Sequence, residues 1–214
     1  MKDISKKGII LTSIVILFNL VGLIGFAVPA LQPVFLKLVP WHLLLMGIVA
    51  IISHERFSEK FLLFFILTYL VTFFAEWAGV HSNWFFGDYS YGRTLGLKLW
   101  GIPLIMGINW FLLIYCAGVV MQYSRVKNIF ARVLIGALLL VLLDVLIEPI
   151  AIKFDYWHWA GNVIPLKNYL CWFGLSALML SVFEKFDFRK QSMVAPVLLL
   201  MQFVFFGVLN FIVM

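Results

Sequence analysis

Seven apolar runs, each near the length needed to cross a bilayer, constrain this chain more than any other feature. They lie at approximately residues 9–28, 35–52, 61–80, 100–121, 130–152, 169–183 and 193–214. A hydrocarbon core about 30 Å thick takes roughly 20 apolar residues per helix. Backbone in lipid must satisfy its own polar groups, so helices are the form such runs take, and the alternating pattern of a membrane barrel is absent. Composition agrees: 64% of the 214 residues are hydrophobic and 12% are charged, where a soluble domain carries roughly 25% charged residues. The expected fold is an all-α polytopic membrane bundle, one transmembrane domain over residues 1–214. The first run has a basic start like that of a signal peptide, but its length and the lack of a small-x-small cleavage site make it a span. The second run, with Lys37, Pro40, Trp41 and His42 at one end, and the short sixth run are the least regular. Loss of either would invert everything after it.

Lysine and arginine set the expected orientation. With the N-terminus inside, the inner segments hold Lys2, Lys6, Lys7, Arg56, Lys60, Arg125, Lys127, Arg132, Lys185, Arg189 and Lys190, and the outer ones only Lys37, Arg93, Lys98, Lys153 and Lys167. Eleven against five puts the C-terminus outside and accounts for the net charge of +6 without nucleic acid as a partner. The expected location is a prokaryotic cytoplasmic membrane. Cys116 and Cys171 both fall in spans and read as buried free thiols, with no disulfide framework.

Two connections stand out, both on the expected outer side: "HSNWFFGDYSYGRTLGLKL" (81–99) and "FDYWHWAGNVIPLKN" (154–168). Each follows a span with an acid near its end, Glu76 and then Glu148. Each continues through an aromatic cluster and reaches a tryptophan seven residues beyond a proline, Pro103 to Trp110 and Pro165 to Trp172. This layout reads either as a tandem two-helix repeat, 61–121 and 130–183, that would set the two acid-bearing ends side by side, or as chance likeness between aromatic membrane loops.

Three carboxylates, Glu76, Asp144 and Glu148, lie inside spans with no lysine or arginine deep enough to partner them. A charge at mid-membrane costs about 2.5–3.5 kcal/mol on insertion scales, so such residues face a bundle interior and are functional candidates. Asp144 and Glu148 are four residues apart and point the same way from adjacent turns. They are placed to act on one substrate atom or to share one proton, and a neutral carboxylic acid can donate it. Pro149 loosens the helix beside the second acid by removing a backbone donor. Any one of the three could cap a helix; that reading explains all three together poorly.

Around the acids the sequence supplies His81, Asn83, Trp84, Asp88, Tyr89 and Tyr91 after the third span, and Asn109, Trp110 and Trp172 within spans. Asp155, Trp157, His158, Trp159 and Asn168 follow the fifth, and Trp41 and His42 stand at the end of the second. Aromatics near a membrane face ordinarily form an interfacial belt. Beside acids, ring faces can also stabilise a cation formed when an acid protonates an alkene. The histidine spacing matches no helix-borne ligand motif, so no metal is expected, and His54, in a basic turn, is expected to be inert. No phosphate-binding loop, dinucleotide fingerprint or nucleophilic triad order is visible, and the last span lacks the lysine that a retinal-binding bundle needs.

The segments "EWAGVHSNWFFGDYSYG", "LWGIPLIMGINW", "LLDVLIEPIA", "FDYWHW" and "IPLKNYLCWF" resemble, in that order over residues 70–180, the membrane carotenoid-biosynthesis proteins that include carotenoid 1,2-hydratases and bisanhydrobacterioruberin hydratase. The resemblance implies hydration of the terminal double bond of an acyclic carotenoid reached from the lipid phase, with water as co-substrate, no cofactor, and a tertiary alcohol as product. Such chemistry needs an acid for the alkene, stabilisation of the cation and a base for water. Glu148 or Asp144 would serve as acid, the partner acid or Glu76 as base, and Asn109, Asn83 or His81 would hold the water. Cyclisation at a similar site, in which a neighbouring double bond captures the same cation, stays open, as does a proton-coupled transporter using the acids as a relay. Against the transporter, the acids gather near one face and the inner halves of spans three to five are almost wholly apolar.

Overall fold

The computed structural model describes residues 6–213; Lys2 of the charge balance and the last residue of the seventh run lie outside them. Seven helices follow the seven runs: α1 Lys6–Ala27, α2 Gln32–Ser53, α3 Glu59–Ser82, α4 Ile105–Tyr123, α5 Ile129–Lys153, α6 Leu166–Phe186 and α7 Val194–Val213. All are long and apolar enough to cross a membrane, α2 and α6 included. Ser58 caps α3 by accepting from the Phe61 amide, and Asn128 caps α5 by accepting from that of Ala131, so each start satisfies a donor the helix leaves free.

Helix α4 is the central post. Of its spanning residues 72% are buried, against 28% to 33% in the other six, and it packs on α2, α3, α5, α6 and α7. It begins five residues later than the apolar run, because residues 98–103 turn back as a short hairpin, β2 (Lys98–Leu99) against β3 (Ile102–Pro103).

The two long connections are tied to each other. β1 (Tyr89–Tyr91) pairs antiparallel with β4 (Trp157–Trp159), placing Tyr89 opposite Trp159 and Tyr91 opposite Trp157. Alternate strand residues point to opposite faces, and here Tyr89, Tyr91, Trp157 and Trp159 are buried while Ser90 and His158 are exposed. The ladder satisfies backbone groups that an irregular loop near the membrane would leave open. Gly92 lets the two connections meet, since a β-carbon there would lie 2.1 Å from the Asp155 carbonyl oxygen.

The opposite end of the bundle is closed by a neutral network. His54 is buried, stacked on Phe61 at 3.8 Å, and shares a 3.0 Å hydrogen bond with the Tyr115 hydroxyl. It is a packed core residue, not the inert turn histidine the sequence suggests. Burial lowers its pKa to about 4. Gln191 joins this network by accepting from the Tyr115 hydroxyl at 3.3 Å and also accepts from the Glu55 amide at 2.9 Å, and Arg132 pairs with Glu184 across α5 and α6.

Candidate active site

Glu76 sits in the last third of α3 and is buried. One carboxyl oxygen, Oε2, accepts from the Tyr89 hydroxyl at 2.5 Å and the Tyr91 hydroxyl at 2.7 Å, and Oε1 accepts from Trp110 Nε1 at 2.7 Å. The two tyrosines reach one oxygen because they are two apart on a strand and face the same way. Burial, and then the charge of Glu76, raise both phenols well above their ordinary range, so they stay hydroxyl donors. Gly79 makes room for them, since a β-carbon there would lie 2.8 Å from the Phe86 ring and 2.9 Å from the Tyr89 oxygen. That close approach is the physical content of the Glu-x-x-Gly spacing.

On α5, Glu148 is treated the same way. Its Oε2 accepts from Trp157 Nε1 at 2.9 Å and Trp159 Nε1 at 2.8 Å, again two residues apart on one strand. Asn168, at the start of α6, gives one amide hydrogen to Glu148 Oε1 at 3.0 Å and the other to Asp144 Oδ2 at 2.9 Å. Asp144 is fully buried one turn behind Glu148, and its Oδ1 meets no hydrogen-bond partner among the described residues. Trp110 and Trp172, each seven residues past its proline, stack at 4.2 Å. The stack joins the Glu76 side to the Glu148 side.

Between the two glutamates lies a cavity of about 20 Å³ lined by Glu76, Tyr89, Glu148, Trp159, Asn168 and Trp172, among others. A site needs roughly 10–15 Å³ of this kind to hold one water. Its wall also contains Met106 and Trp157. Both residues equally line a second, larger chamber of about 300 Å³, walled by α1, α2, α4, α5 and α7 and mostly apolar.

The structure therefore gathers Glu76, Glu148, Tyr89, Tyr91, Trp157, Trp159, Asn168 and Trp172 around one space, with Trp110 bonded to Glu76 and Asp144 immediately behind Glu148. It places the other candidates elsewhere. Asn109, Trp41 and His42 line the larger chamber. His81 is exposed and bonds the Trp77 carbonyl at 2.8 Å; Asn83 is the exposed left-handed cap of α3, and Trp84 and Asp88 are exposed. His158 points away because it occupies the outward position of β4, and pairs with Asp155 at 2.6 Å. Burial alone would raise the Asp155 carboxyl; the Arg93 amide at 3.0 Å and His158 outweigh it and hold the group below the usual carboxylate range. This pair ties the two connections together and does not face the acids. Phe86 and Met106 line the acid cavity without having been marked by the sequence reading. The alternation of aromatics in "YSY" and "WHW" is the signal that separates inward from outward residues here.

A family model described as carotenoid biosynthesis protein matches residues 38–214. The chain belongs to this family. The match extends beyond the motif-bearing core at 70–180 to include most of α2 and all of α7, helices that wall the larger chamber of this carotenoid biosynthesis protein. It is 26% identical over 131 residues to the bisanhydrobacterioruberin hydratase of Haloarcula japonica, an alignment covering 58% of this chain and 44% of that protein. The chain thus matches less than half the length of that relative. No solved structure matches it. Seven spanning helices and this family make it a multi-pass membrane protein of carotenoid biosynthesis.

Proposed function

We propose that this protein hydrates the terminal carbon–carbon double bond of an acyclic carotenoid end group. The observation that carries this reading is the water-sized cavity with a glutamate on two sides, separated by only two side chains from an apolar chamber. Asp144 and Glu148, joined through Asn168, hold the proton; Glu148, at the cavity wall, delivers it to the less substituted alkene carbon. The positive charge appears on the neighbouring tertiary carbon, beside the ring faces of Trp157, Trp159 and Trp172. A water oriented by Glu76 adds its oxygen to that carbon and gives a proton to Glu76. Its three neutral donors, Tyr89, Tyr91 and Trp110, suit a carboxylate that must be an oriented base. Return of that proton to the Asp144–Glu148 pair closes the cycle. Atoms balance as alkene plus water to tertiary alcohol. Room for a water next to the acids favours hydration over cyclisation, which needs water excluded.

The test is expression in cells that accumulate lycopene, followed by pigment extraction and mass measurement. Hydration adds the mass of one water per reacted end, and cyclisation adds none. Unchanged lycopene, or full product from Glu148→Gln and Glu76→Gln, would refute the proposal.

A further inference from the structure

The larger chamber has its own reading. Its rim is made of side chains exposed on the bundle surface between α1 and α2: Phe18 at 44%, Val21 at 44%, Leu38 at 45% and Trp41 at 67%. Its inner end is the Met106–Trp157 partition, beyond which lie Glu148 and Glu76. A volume of 300 Å³ stands at the low end of the about 300–1,000 Å³ typical of ligand pockets, room for the end of a long chain whose remainder stays in lipid.

The apolar wall, the lipid-facing rim and the wall shared with the acid cavity mark it as a hydrocarbon site, while three polar residues on it are left for water or the hydroxyl of a hydrated end, since a hydrocarbon offers them no partner. The side chains of His42, Asn109 and Gln202 line it and make no hydrogen bond among the described residues. By contrast Asn19, also on its wall, is satisfied by the Val15 carbonyl at 2.8 Å and the Met46 sulfur. Unpaired polar groups in a space open to lipid cost free energy unless a ligand or water meets them. Asn109 lies one turn from Met106 on α4, the position from which it meets an oxygen placed at the partition.

The partition itself is unequal. Trp157 is fixed by its hydrogen bond to Glu148 and by edge contact with the Tyr91 ring at 6.3 Å. Met106 has no such tether, and an unbranched thioether with three rotatable bonds repacks readily. Met106 is therefore the movable half.

We propose that the chamber binds one end of an acyclic polyene hydrocarbon entering from the lipid between α1 and α2, and that Met106 swings aside to admit the terminal double bond to the acid cavity. What happens beyond the partition rests on the hydration reading; occupation of the chamber does not.

The experiment uses the whole chain in lipid nanodiscs, a Gln202→Cys reporter in a Cys171→Ser background, and N-ethylmaleimide as the thiol reagent. The remaining native thiol, Cys116, is buried. Lycopene is expected to slow labelling at position 202 about tenfold or more, and to leave labelling of Leu170→Cys, on the lipid face at 64% exposure, unchanged. Adding Glu148→Gln should preserve this protection while stopping alcohol formation, and adding Met106→Trp should do the same by blocking passage. If Gln202→Cys does not accumulate, Leu38→Cys at the rim is the second reporter. Equal labelling with and without lycopene overturns the chamber assignment, even where alcohol is still formed. Protection of the reporter, together with no alcohol formed by the unsubstituted chain, instead leaves the chamber standing and removes the hydration reading. Full alcohol formation by Met106→Trp overturns the gate.

Discussion

The two glutamates are held by nearly the same device, and they differ in what stands behind them. Each lies near the end of a spanning helix and receives two donors at one oxygen from alternate residues of the strand that follows. Each also has a third donor at the other oxygen, Trp110 for Glu76 and Asn168 for Glu148. The Glu76 half ends there, with both carboxyl oxygens facing neutral donors. The Glu148 half has a second acid behind it, Asp144, with one oxygen unmatched by any donor. On the proposed hydration, the first half serves as a fixed acceptor and the second as a pair that stores a proton, so that one additional carboxyl group would give two similar arrangements different tasks.

The strongest way to break this comparison is to neutralise each glutamate. Glu148→Gln and Glu76→Gln are each expected to lower the initial rate of alcohol formation in isolated membranes by about 10²–10⁴-fold, the range of acid–base catalysis. A large loss from one and none from the other would reduce the two-sided site to a single acid. Next come the supporting donors. Trp159→Phe and Tyr89→Phe each remove one hydrogen bond to a carboxyl group, worth about 1.5–3 kcal/mol, and should each slow the reaction by roughly tenfold or more. Matching losses support equivalent halves, and a loss confined to Tyr89→Phe would leave Glu76 alone dependent on its orientation.

Asp144→Asn keeps the shape and removes the stored proton without touching the cavity. It should cost about tenfold, or 1.4 kcal/mol, and change the pH–rate profile. Wild-type rates with an unchanged profile would make Asp144 a packing residue. The smallest effect is expected from Asp155→Asn, outside the site. Asp155 has a depressed pKa when folded, so its contribution to stability is complete above its unfolded value of 3.8 and is lost as pH falls through the lower folded value. Thermal unfolding in detergent should show this acid-side loss in the parent chain and not in the variant, with the reaction rate near pH 7 little changed.

Seven spans were legible because burial in lipid demands long apolar runs whatever the tertiary arrangement, and even α2 with its internal Pro40 and α6, which runs 21 residues where its apolar stretch looked short, read as spans. The acids were legible for the converse reason, since a carboxylate among apolar residues is costly enough to be conspicuous. The flanking residues were sorted less well. His81, Asn83, Trp84, Asp88, Asp155 and His158 share the composition of the site and lie off it; cap geometry turns Asn83 outward and strand alternation turns His158 outward. Met106 and Phe86 are ordinary apolar residues in sequence, and acquire meaning only by standing beside Glu76 and Glu148.

By itself the sequence determined that the chain crosses a membrane seven times, that three acids lie within it, and that two aromatic connections carry parallel layouts. These follow from composition and spacing along one chain, where solvation costs act residue by residue. Only the tertiary structure decided that the two connections pair as strands, that Trp110 stacks on Trp172, and that Glu76 and Glu148 face one small cavity with Asp144 behind. It alone brought α1 and α7, which hold none of the recognised motifs, around the apolar chamber next to that cavity. Such relations depend on distance between segments up to 188 residues apart, Phe18 and Phe206 on one chamber wall, and no local pattern records them.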